Sequence, residues 1–389
     1  MAIFSFKKLA LAMITTLFIA CNSHADRKNT VNKAIQLKLD SITRLINAPG
    51  ANLSIILTNG DSLTFSSGFA DIERAIPMKQ SNKMLSGSIG KTYVAAIAFQ
   101  LIQSERLKLT DKVIDLLKDE KWISRIPNIN ELNVDMLLAH TSGLPRYEFY
   151  NGVWNEIKSN PDMVWSVYDR MKYILDAKPL NLAGKSWDYS DSNYILIGAI
   201  IEKITGKEYY DSFRTLISNQ KDLKNTVPAN QRQIKGLASG YTGFLTQYGF
   251  PEKMVENEIV LLNPQMEWCG GGVASTATDI ARWAKHLYEG DVISTESVIK
   301  MVTPSIFETD LPDGQKYGYA TIISAYKGDP FFGHTGFFPG YRSIVQYSPK
   351  YKFSIALQIN RDNPNTKQSL NQLIEPIKEL VILYVEKSN

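Results

Sequence analysis

The sequence predicts a fold of the α/β (α+β) class, with an antiparallel sheet built from both chain ends and flanked by helices. Three observations support this class: a strand-turn-strand pattern at residues 51–72, further strand patterns near the C-terminus, and helical patterns over most of residues 105–300. Strands that follow one another over short intervals favour antiparallel pairing. We therefore expect a single domain over residues 26–389, with a large, mostly helical insertion at about 105–300.

The N-terminal strand pattern is the stretch ANLSIILTNGDSLTFSSGFADI, from Ala51 to Ile72. Asn59-Gly60 at its centre is a strong signal for a tight hairpin turn, so two paired strands are expected. The next stretch, LSGSIGKTYVAAIAFQLIQ, begins with small residues at 86–90 and continues as an apolar helix. One face of that helix carries Val94, Ile97, Ala98 and Leu101.

The insertion and the C-terminus carry further helix and strand patterns. NYILIGAIIEKITG predicts an apolar helix that ends at Gly206, and STATDIARWAKHL predicts a helix with Thr276 and Asp279 in capping-box spacing. YGYATIIS, YRSIVQYSP and KFSIALQIN predict strands, the last half-buried because apolar and polar residues alternate. A final helix is expected at about 366–386, with Pro376 kinking it or splitting it in two.

Composition narrows the possible functions. The 389 residues are 44% hydrophobic and 21% charged, which is typical of a globular protein with a sizeable core. The net charge is +4 and no basic run occurs beyond Lys7 and Lys8, so nucleic acid is not an expected partner. The histidines do not pair at metal-ligand spacing, so neither a metal nor a cofactor is expected. These histidines are His24, His140, His286 and His334.

The N-terminus has the pattern of an export signal. Lys7 and Lys8 precede an apolar stretch, residues 9–20, that is too short to span a bilayer comfortably. The small residues of Ser23-His24-Ala25 then offer a cleavage site after Ala25. We therefore expect a signal peptide at residues 1–25 and a periplasmic or extracellular protein whose mature chain has no transmembrane segment.

Processing as a lipoprotein at Cys21 is the alternative. It is disfavoured because Phe18 stands three residues before that cysteine, where leucine is preferred. Once residues 1–25 are removed, Cys269 is the only remaining thiol. The mature chain is therefore expected to fold without an internal disulfide.

Ser88 and Lys91 form the first candidate for chemistry. They lie three residues apart at the start of the apolar helix, which places both side chains on one face of its first turn. A serine hydroxyl needs a base to become a nucleophile, and a buried lysine can provide one. The helix N-terminus adds N–H groups where an oxyanion would form. The alternative is a capping serine beside a lysine that extends to solvent.

Two further motifs place this pair in a known family. WDYSDSNYILIGAIIEKITG contains Tyr189-Ser190-Asp191, and FGHTGFFPGYRS contains His334-Thr335-Gly336. With Ser88 and Lys91 in this order, the chain resembles the serine β-lactamase and penicillin-binding-protein superfamily, in particular its class C β-lactamase and D-alanyl-D-alanine carboxypeptidase branch. LLAHTSGLP and GGGVASTATDIARWAKHL are similar to that branch too, and the resemblance covers roughly residues 35–385. It implies a β-lactamase/transpeptidase-like fold.

The resemblance also implies roles for individual residues. Ser88 attacks a carbonyl and becomes acylated, while Lys91 and Tyr189 share the proton transfers. Tyr189 can act as a base only if the Lys91 charge stabilises its phenolate. Gly336 lets the backbone approach the substrate closely, and the Phe337 amide pairs with the Ser88 amide as an oxyanion hole.

Asp191 departs from the family pattern, which commonly has asparagine at this position. An ionised aspartate only accepts hydrogen bonds. An ion pair with Lys91 would raise the lysine pKa and favour Tyr189 as the base. The alternative role for Asp191 is that of a helix N-cap.

His334 is the second departure, since β-lactamases of this branch usually carry lysine there. A neutral imidazole offers hydrogen bonds and a proton relay near pH 6.5 instead of a fixed charge, which argues against a dedicated β-lactamase. Arg342 could bind a substrate carboxylate by a two-pronged contact, although a solvated strand arginine is equally compatible with the pattern. His140 is interpreted as a structural loop residue, because no Gly-x-Ser-x-Gly elbow surrounds Ser88.

The expected function is that of an exported serine hydrolase that forms an acyl-enzyme on Ser88. The resemblance favours a D-alanyl-D-alanine carboxypeptidase-like peptidase, whose partner would be a cell-wall D-alanyl peptide or a β-lactam. A class C-type β-lactamase and a carboxylesterase are alternatives on the same scaffold. A non-catalytic penicillin-binding or sensor module is an alternative of another class, against which the intact Ser88, Lys91 and Tyr189 argue.

Overall fold

A computed structural model describes residues 24–362 and 368–387. The N-terminal part contains helix α1 (His24–Leu45), strands β1 (Gly50–Ile56), β2 (Ser62–Asp71), β3 (Ile76–Pro77) and β4 (Met84–Leu85), and helix α2 (Gly90–Gln103). The C-terminal part contains strands β9 (Lys316–Tyr317), β10 (Ile322–Tyr326), β11 (Asp329–Phe338), β12 (Tyr341–Ser348) and β13 (Phe353–Ile359), and helix α11 (Leu370–Glu386).

Helices are the main regular secondary structure in the middle of the chain, although loops and turns make up more than half of residues 105–300. Its helices are α3 (Val113–Leu116), α4 (Val134–Leu138), α5 (Asn151–Ser159), α6 (Val167–Met171), α7 (Asp191–Thr205), α8 (Tyr209–Ser218), α9 (Ala277–Glu289) and α10 (Thr295–Val302). Its strands are short: β5 (Val227–Pro228), β6 (Val255–Glu256), β7 (Ile259–Val260) and β8 (Val273–Ser275). The interpretation of residues 26–389 as one domain stays a prediction.

The main sheet joins the two ends of the chain. Its strand order is β3-β2-β1-β13-β12-β11-β10-β9, and its neighbouring strands are antiparallel. Ala51 in β1 pairs with Ile359 in β13, so the first long strand lies beside the last one. The predicted fold class, an antiparallel sheet from both chain ends with flanking helices, is therefore confirmed.

The hairpin predicted at Asn59-Gly60 joins β1 to β2. Gly60 adopts φ +85°, a left-handed conformation that glycine reaches without a steric penalty. The Asp61 N–H donates to Asn59 Oδ1 at 3.0 Å, which closes the turn through a side chain. The turn chemistry thus fixes the register of the first strand pair.

Both faces of the sheet are covered, which corrects the prediction for β13. Helices α1 and α11 pack on one face, and α9 packs on the other against β1, β12 and β13. The polar positions of β13 are therefore buried as well, and Ser354 Oγ donates to the Ala281 carbonyl of α9 at 2.6 Å. The prediction of a half-buried strand is wrong because the alternating polar residues meet a helix rather than water.

Helix α11 is not split at Pro376, one of the two outcomes predicted for it. It begins at Leu370, where Ser369 and Gln372 form a capping box, and it continues through Pro376 without dividing. Leu373, Ile374 and Ile377 on both sides of the proline are buried in the core between sheet and helices. This packing holds the two segments as one helix despite the missing N–H donor.

The predicted export signal lies outside the described residues as far as residue 23, and α1 begins at His24. Within residues 24–362 and 368–387, none of the helices combines the length and the hydropathy that a bilayer crossing requires.

Candidate active site

Ser88 lies in a single 3₁₀ turn, Gly87–Ile89, that leads directly into α2. The edge of β11 runs against this turn. Gly87 has φ +54°, and a Cβ there would come within 2.5 Å of the Phe337 backbone nitrogen. Only glycine permits this approach, which brings the Phe337 amide to the nucleophile turn as an oxyanion hole requires.

Lys91 connects Ser88 to the rest of the site. Its side chain is fully buried, and its Nζ donates to Ser88 Oγ at 3.0 Å and to the Gly270 carbonyl at 2.5 Å. The same nitrogen forms an ion pair with Asp191. Two of the three ammonium protons are thus in hydrogen bonds, and the charge of the group is balanced by Asp191.

The protonation state of Lys91 follows from two opposing effects. Burial lowers the pKa of the amine, but the Asp191 carboxylate raises it, and the net pKa lies above its usual value. The Asp191 carboxyl is affected in the opposite direction: burial raises its pKa, yet Lys91 and Arg146 bring it below the usual range. The ion pair weighed from the sequence is therefore present, and Lys91 is an ammonium ion in the resting site.

Tyr189 comes from the loop before α7 and meets the same lysine. Its ring centroid lies 5.0 Å from Lys91 Nζ. Burial raises the pKa of the phenol, while Lys91 and a close approach to Ser88 lower it, and the net shift is upward. Within the described chain, the Tyr189 hydroxyl has no hydrogen-bond partner of good geometry. The predicted convergence of Ser88, Lys91 and Tyr189 is present in the structure, and their catalytic roles remain a proposal.

His334 is buried in β11 and hydrogen-bonded on both ring nitrogens. Nδ1 lies 2.6 Å from the Thr335 carbonyl oxygen, which can only accept, so Nδ1 carries the proton. Nε2 then accepts from the Tyr317 hydroxyl at 2.9 Å. Burial lowers the pKa of His334 to about 3, so the ring stays neutral and does not relay protons near pH 6.5. Tyr317 has no counterpart among the residues selected from the sequence.

His140 packs against the ring of Tyr189. Its Nδ1 accepts from the Ser190 N–H at 3.2 Å, and its ring lies 4.2 Å from the Tyr189 ring, centroid to centroid. Burial and the Lys91 charge hold its pKa well below the usual value. This geometry fits the structural role expected for His140 and leaves it no place in a Ser-His-Asp triad.

Three charged residues that sequence reasoning missed complete the site. Arg146 Nε pairs with Glu148 Oε1 at 2.7 Å, and Glu148 and Glu267 are only 9% and 8% exposed. Burial together with the neighbouring Asp191 raises the pKa of Glu148 to about 7, and burial raises that of Glu267 well above its usual value. Arg146 and Glu148 follow directly after the LLAHTSGLP motif, and this position was the one available signal.

Ser88 lies between two cavities. The larger, of about 410 Å³, is lined by Tyr189, Thr335, Gly336 and Arg342 among others. Arg342 is half-buried and, among the described residues, has no side-chain hydrogen bond or ion pair. The smaller cavity, of about 110 Å³, shares Ser88 and Arg146 with the larger one and contains the acidic residues. Phe337, whose side chain is 44% exposed, borders both.

The fold and this arrangement define a serine hydrolase of the β-lactamase and penicillin-binding-protein superfamily. The family model described as beta-lactamase matches residues 40–376, and the chain therefore belongs to the beta-lactamase family.

Two curated relatives are similar over most of the chain. Penicillin-binding protein 4* of Bacillus subtilis is 25% identical over 343 residues, which cover 84% of this chain and 72% of the relative. The teichoic acid D-alanine hydrolase of Staphylococcus aureus is 24% identical over 333 residues, which cover 84% of this chain and 75% of the relative.

Solved structures show the same fold. The D-stereospecific amidohydrolase from a Streptomyces species matches with a TM-score of 0.75 at 22% identity, covering 88% of this chain and 97% of that one. The D-amino acid amidase from Ochrobactrum anthropi in complex with D-phenylalanine matches with a TM-score of 0.75 at 22% identity, covering 90% and 99%.

Proposed function

We propose that the protein is an exported hydrolase that cleaves D-alanyl peptides through an acyl-enzyme on Ser88, as a D-alanyl-D-alanine carboxypeptidase-like peptidase. The observation that carries this proposal is the buried Lys91 ammonium, which holds Ser88 Oγ beside Tyr189 where two cavities meet. The names of the relatives support D-alanyl and D-amino acid chemistry.

The proton path follows from the hydrogen bonds of Lys91. Because the ammonium donates to Ser88 Oγ, the serine hydrogen is directed elsewhere, and Tyr189 provides the nearby oxygen. Tyr189 accepts that proton in its phenolate form, which the Lys91 charge favours and burial disfavours. As Oγ bonds to the carbonyl carbon, the carbonyl electron pair moves onto oxygen, where the Ser88 and Phe337 amides stabilise it.

Acylation ends, and deacylation follows, through a reversal of this proton transfer. Tyr189 returns its proton to the leaving amine as the C–N bond breaks, which leaves the acyl group on Ser88. A water molecule then attacks the ester carbonyl, giving one proton to the phenolate, and Ser88 regains its proton when the acid departs. The atoms of the substrate and one water are thereby conserved.

Arg342 supports the proposal of a carboxypeptidase over that of a general esterase. It lines the larger cavity together with Ser88 and has no side-chain partner in the described part of the chain. Burial lowers the pKa of its guanidinium, but an arginine remains charged at physiological pH. The carboxylate of a leaving D-alanine could satisfy it by a two-pronged contact.

The proposal is tested by following a chromogenic cephalosporin and a D-alanyl-D-alanine peptide with the wild type and Ser88→Ala. Stable labelling by the cephalosporin and D-alanine release from the peptide, both lost in Ser88→Ala, are expected. Rapid cephalosporin turnover would indicate a β-lactamase, and hydrolysis of p-nitrophenyl esters alone a carboxylesterase. Absence of labelling and of hydrolysis would indicate a non-catalytic module.

Arg342→Gln refines the test. Its KM for the D-alanyl-D-alanine peptide should rise about tenfold to a hundredfold, because a charge-assisted contact is lost. Hydrolysis of p-nitrophenyl acetate, which lacks a carboxylate, serves as the matched control and should change little. An equal loss on both substrates would assign Arg342 to the structure of the cleft instead.

A further inference from the structure

The smaller cavity beside Ser88 combines buried carboxyl groups with aromatic walls. Its acidic members are Glu148, Asp191 and Glu267. A Cβ on Gly270 would lie 3.6 Å from the Cγ atoms of both Asp191 and Glu267, so these two side chains lie close together around that glycine. The aromatic walls are Tyr147, Phe149, Trp154, Phe244, Phe337 and Phe338.

The charges around this cavity do not balance. Lys91 pairs with Asp191 and Arg146 pairs with Glu148, which leaves Glu267 without a cation among the described residues. Glu267 is nine-tenths buried, and its side chain has neither a hydrogen bond nor an ion pair within residues 24–362 and 368–387. Glu148 is equally buried, and its Oε2 atom has no hydrogen-bond donor.

Such a site is unusual unless a further cation is to enter it. Buried carboxylates are costly without a positive partner, and a buried carboxyl group that has none holds its proton instead. Burial raises the pKa values of Glu148 and Glu267, as expected where the nearby positive charge is insufficient. One ammonium group of a ligand would supply the missing positive charge and allow the carboxyl groups to ionise.

We infer that the smaller cavity binds the free α-ammonium group of the residue that acylates Ser88, so that the preferred substrates are short D-alanyl compounds with an unblocked amino terminus. This inference rests on the proposed function and specifies its substrate class.

The position of the cavity supports this assignment. Ser88 lines both cavities, so an acyl carbonyl at Ser88 Oγ would have its leaving group in the larger cavity and its α-substituents in the smaller one. Aromatic side chains attract a desolvated cation, and Trp154 and Phe244 line this cavity, while the Phe149 ring already faces the Arg146 guanidinium at 4.1 Å. Acylation of the amino group would remove the charge and add bulk in a cavity of about 110 Å³.

The test compares D-alanyl-D-alanine with N-acetyl-D-alanyl-D-alanine, with D-alanine release measured per bond cleaved. In the wild type, kcat/KM should be about tenfold to a hundredfold higher for the free dipeptide, because charge-assisted hydrogen bonds are made only with the ammonium.

Glu267→Gln and Glu148→Gln should each reduce this preference by about tenfold through a higher KM for the free dipeptide, with kcat changed less. Glu202→Gln is the matched control, since Glu202 is a half-buried glutamate with a raised pKa that lies in another cavity. It should retain the wild-type preference.

The outcomes separate the two proposals. Hydrolysis of both dipeptides at equal kcat/KM, abolished by Ser88→Ala, would uphold the proposed function and overturn the ammonium site. Unchanged preference in both glutamine variants would also overturn it. Failure to hydrolyse or to be labelled at all would overturn the proposed function itself. Thermal unfolding of each variant excludes misfolding as the cause of a lost preference.

Discussion

Two lysines of this protein, Lys91 and Lys378, are both fully buried, yet their surroundings differ. Lys91 faces the Asp191 carboxylate, and its pKa is raised despite burial. Lys378 donates to the amide oxygens of Gln346 and Asn371, each at 3.1 Å, and lies 4.8 Å from the centroid of the Phe331 ring. Burial lowers its pKa to about 8, and the more distant carboxylates of Glu375 and Asp313 offset this only in part.

The comparison shows that burial alone does not decide whether the pKa of a lysine is raised or lowered. The desolvation effect has the same sign at both positions, and the presence of a contacting carboxylate decides the outcome. Of the two, the lysine next to the nucleophile has the raised pKa and therefore keeps its charge to higher pH. The active site therefore uses its lysine as a fixed positive charge and a hydrogen-bond donor rather than as a neutral amine.

The largest expected difference between the two lysines is in activity. Lys91→Met should reduce the rate of Ser88 acylation by a chromogenic cephalosporin by about a thousandfold or more. When residues act as one catalytic unit, the loss of one of them removes most of the rate enhancement of the unit. Lys378→Met should remain within about threefold of the wild type, since methionine fills a similar volume. Stopped-flow acylation kinetics measure both. A comparable loss of acylation rate in Lys378→Met would show that Lys378 also takes part in catalysis and that the two lysines do not differ in role.

The next effect concerns the stability of the fold. Lys378 has a pKa of about 8 in the folded state against an ordinary 10.5, so between these values the unfolded chain binds more protons. The free energy of unfolding should therefore rise with pH over this range, with a contribution from Lys378 of about 3 kcal/mol. Below pH 8 the full penalty of the buried charge is present.

Urea denaturation of the wild type and of Lys378→Met at pH 7.5 and pH 10 measures this contribution. The stability advantage of the variant should be largest at pH 7.5 and should shrink at pH 10. An advantage that is equal at both pH values would show that Lys378 does not titrate in this range.

The smallest effect comes from making Lys91 resemble Lys378. Asp191→Asn removes the carboxylate that raises the pKa of both Lys91 and Tyr189. The acidic limb of the pH profile for Ser88 acylation should move to lower pH by about one unit, whichever of the two groups is the base. A shift to higher pH would mean that Asp191 acts mainly by holding the geometry of the site.

The parts of this site that could be predicted are those that local sequence dictates. Ser88 and Lys91 are three residues apart at a helix start, and Tyr189 and Asp191 precede the next buried helix, so motifs located them. The Asp191 ion pair followed from the chemistry of a carboxylate where an amide is common. Helix and strand types were predictable for the same reason, because their periodicity is local.

The parts that could not be predicted depend on packing between distant segments. Glu267 and Tyr317 reach the site from a turn and a short strand whose own sequences carry no distinguishing pattern. Gly270 opens the GGGVASTATDIARWAKHL motif, but the motif did not reveal that its carbonyl meets Lys91. The burial of Ser354 in β13 required knowledge that α9 covers the second face of the sheet. An alternating pattern specifies which residues share a face, and it does not specify what that face will meet.

The pairing of Ala51 with Ile359 has a consequence for biosynthesis. Strand β1 can pair with β13 only after nearly the entire chain has left the ribosome, so the centre of the sheet forms late. Contacts so far apart in sequence form slowly and leave strand edges open in the meantime. For the proposed export, this late closure would leave a long interval in which a translocation machinery could still thread the extended chain.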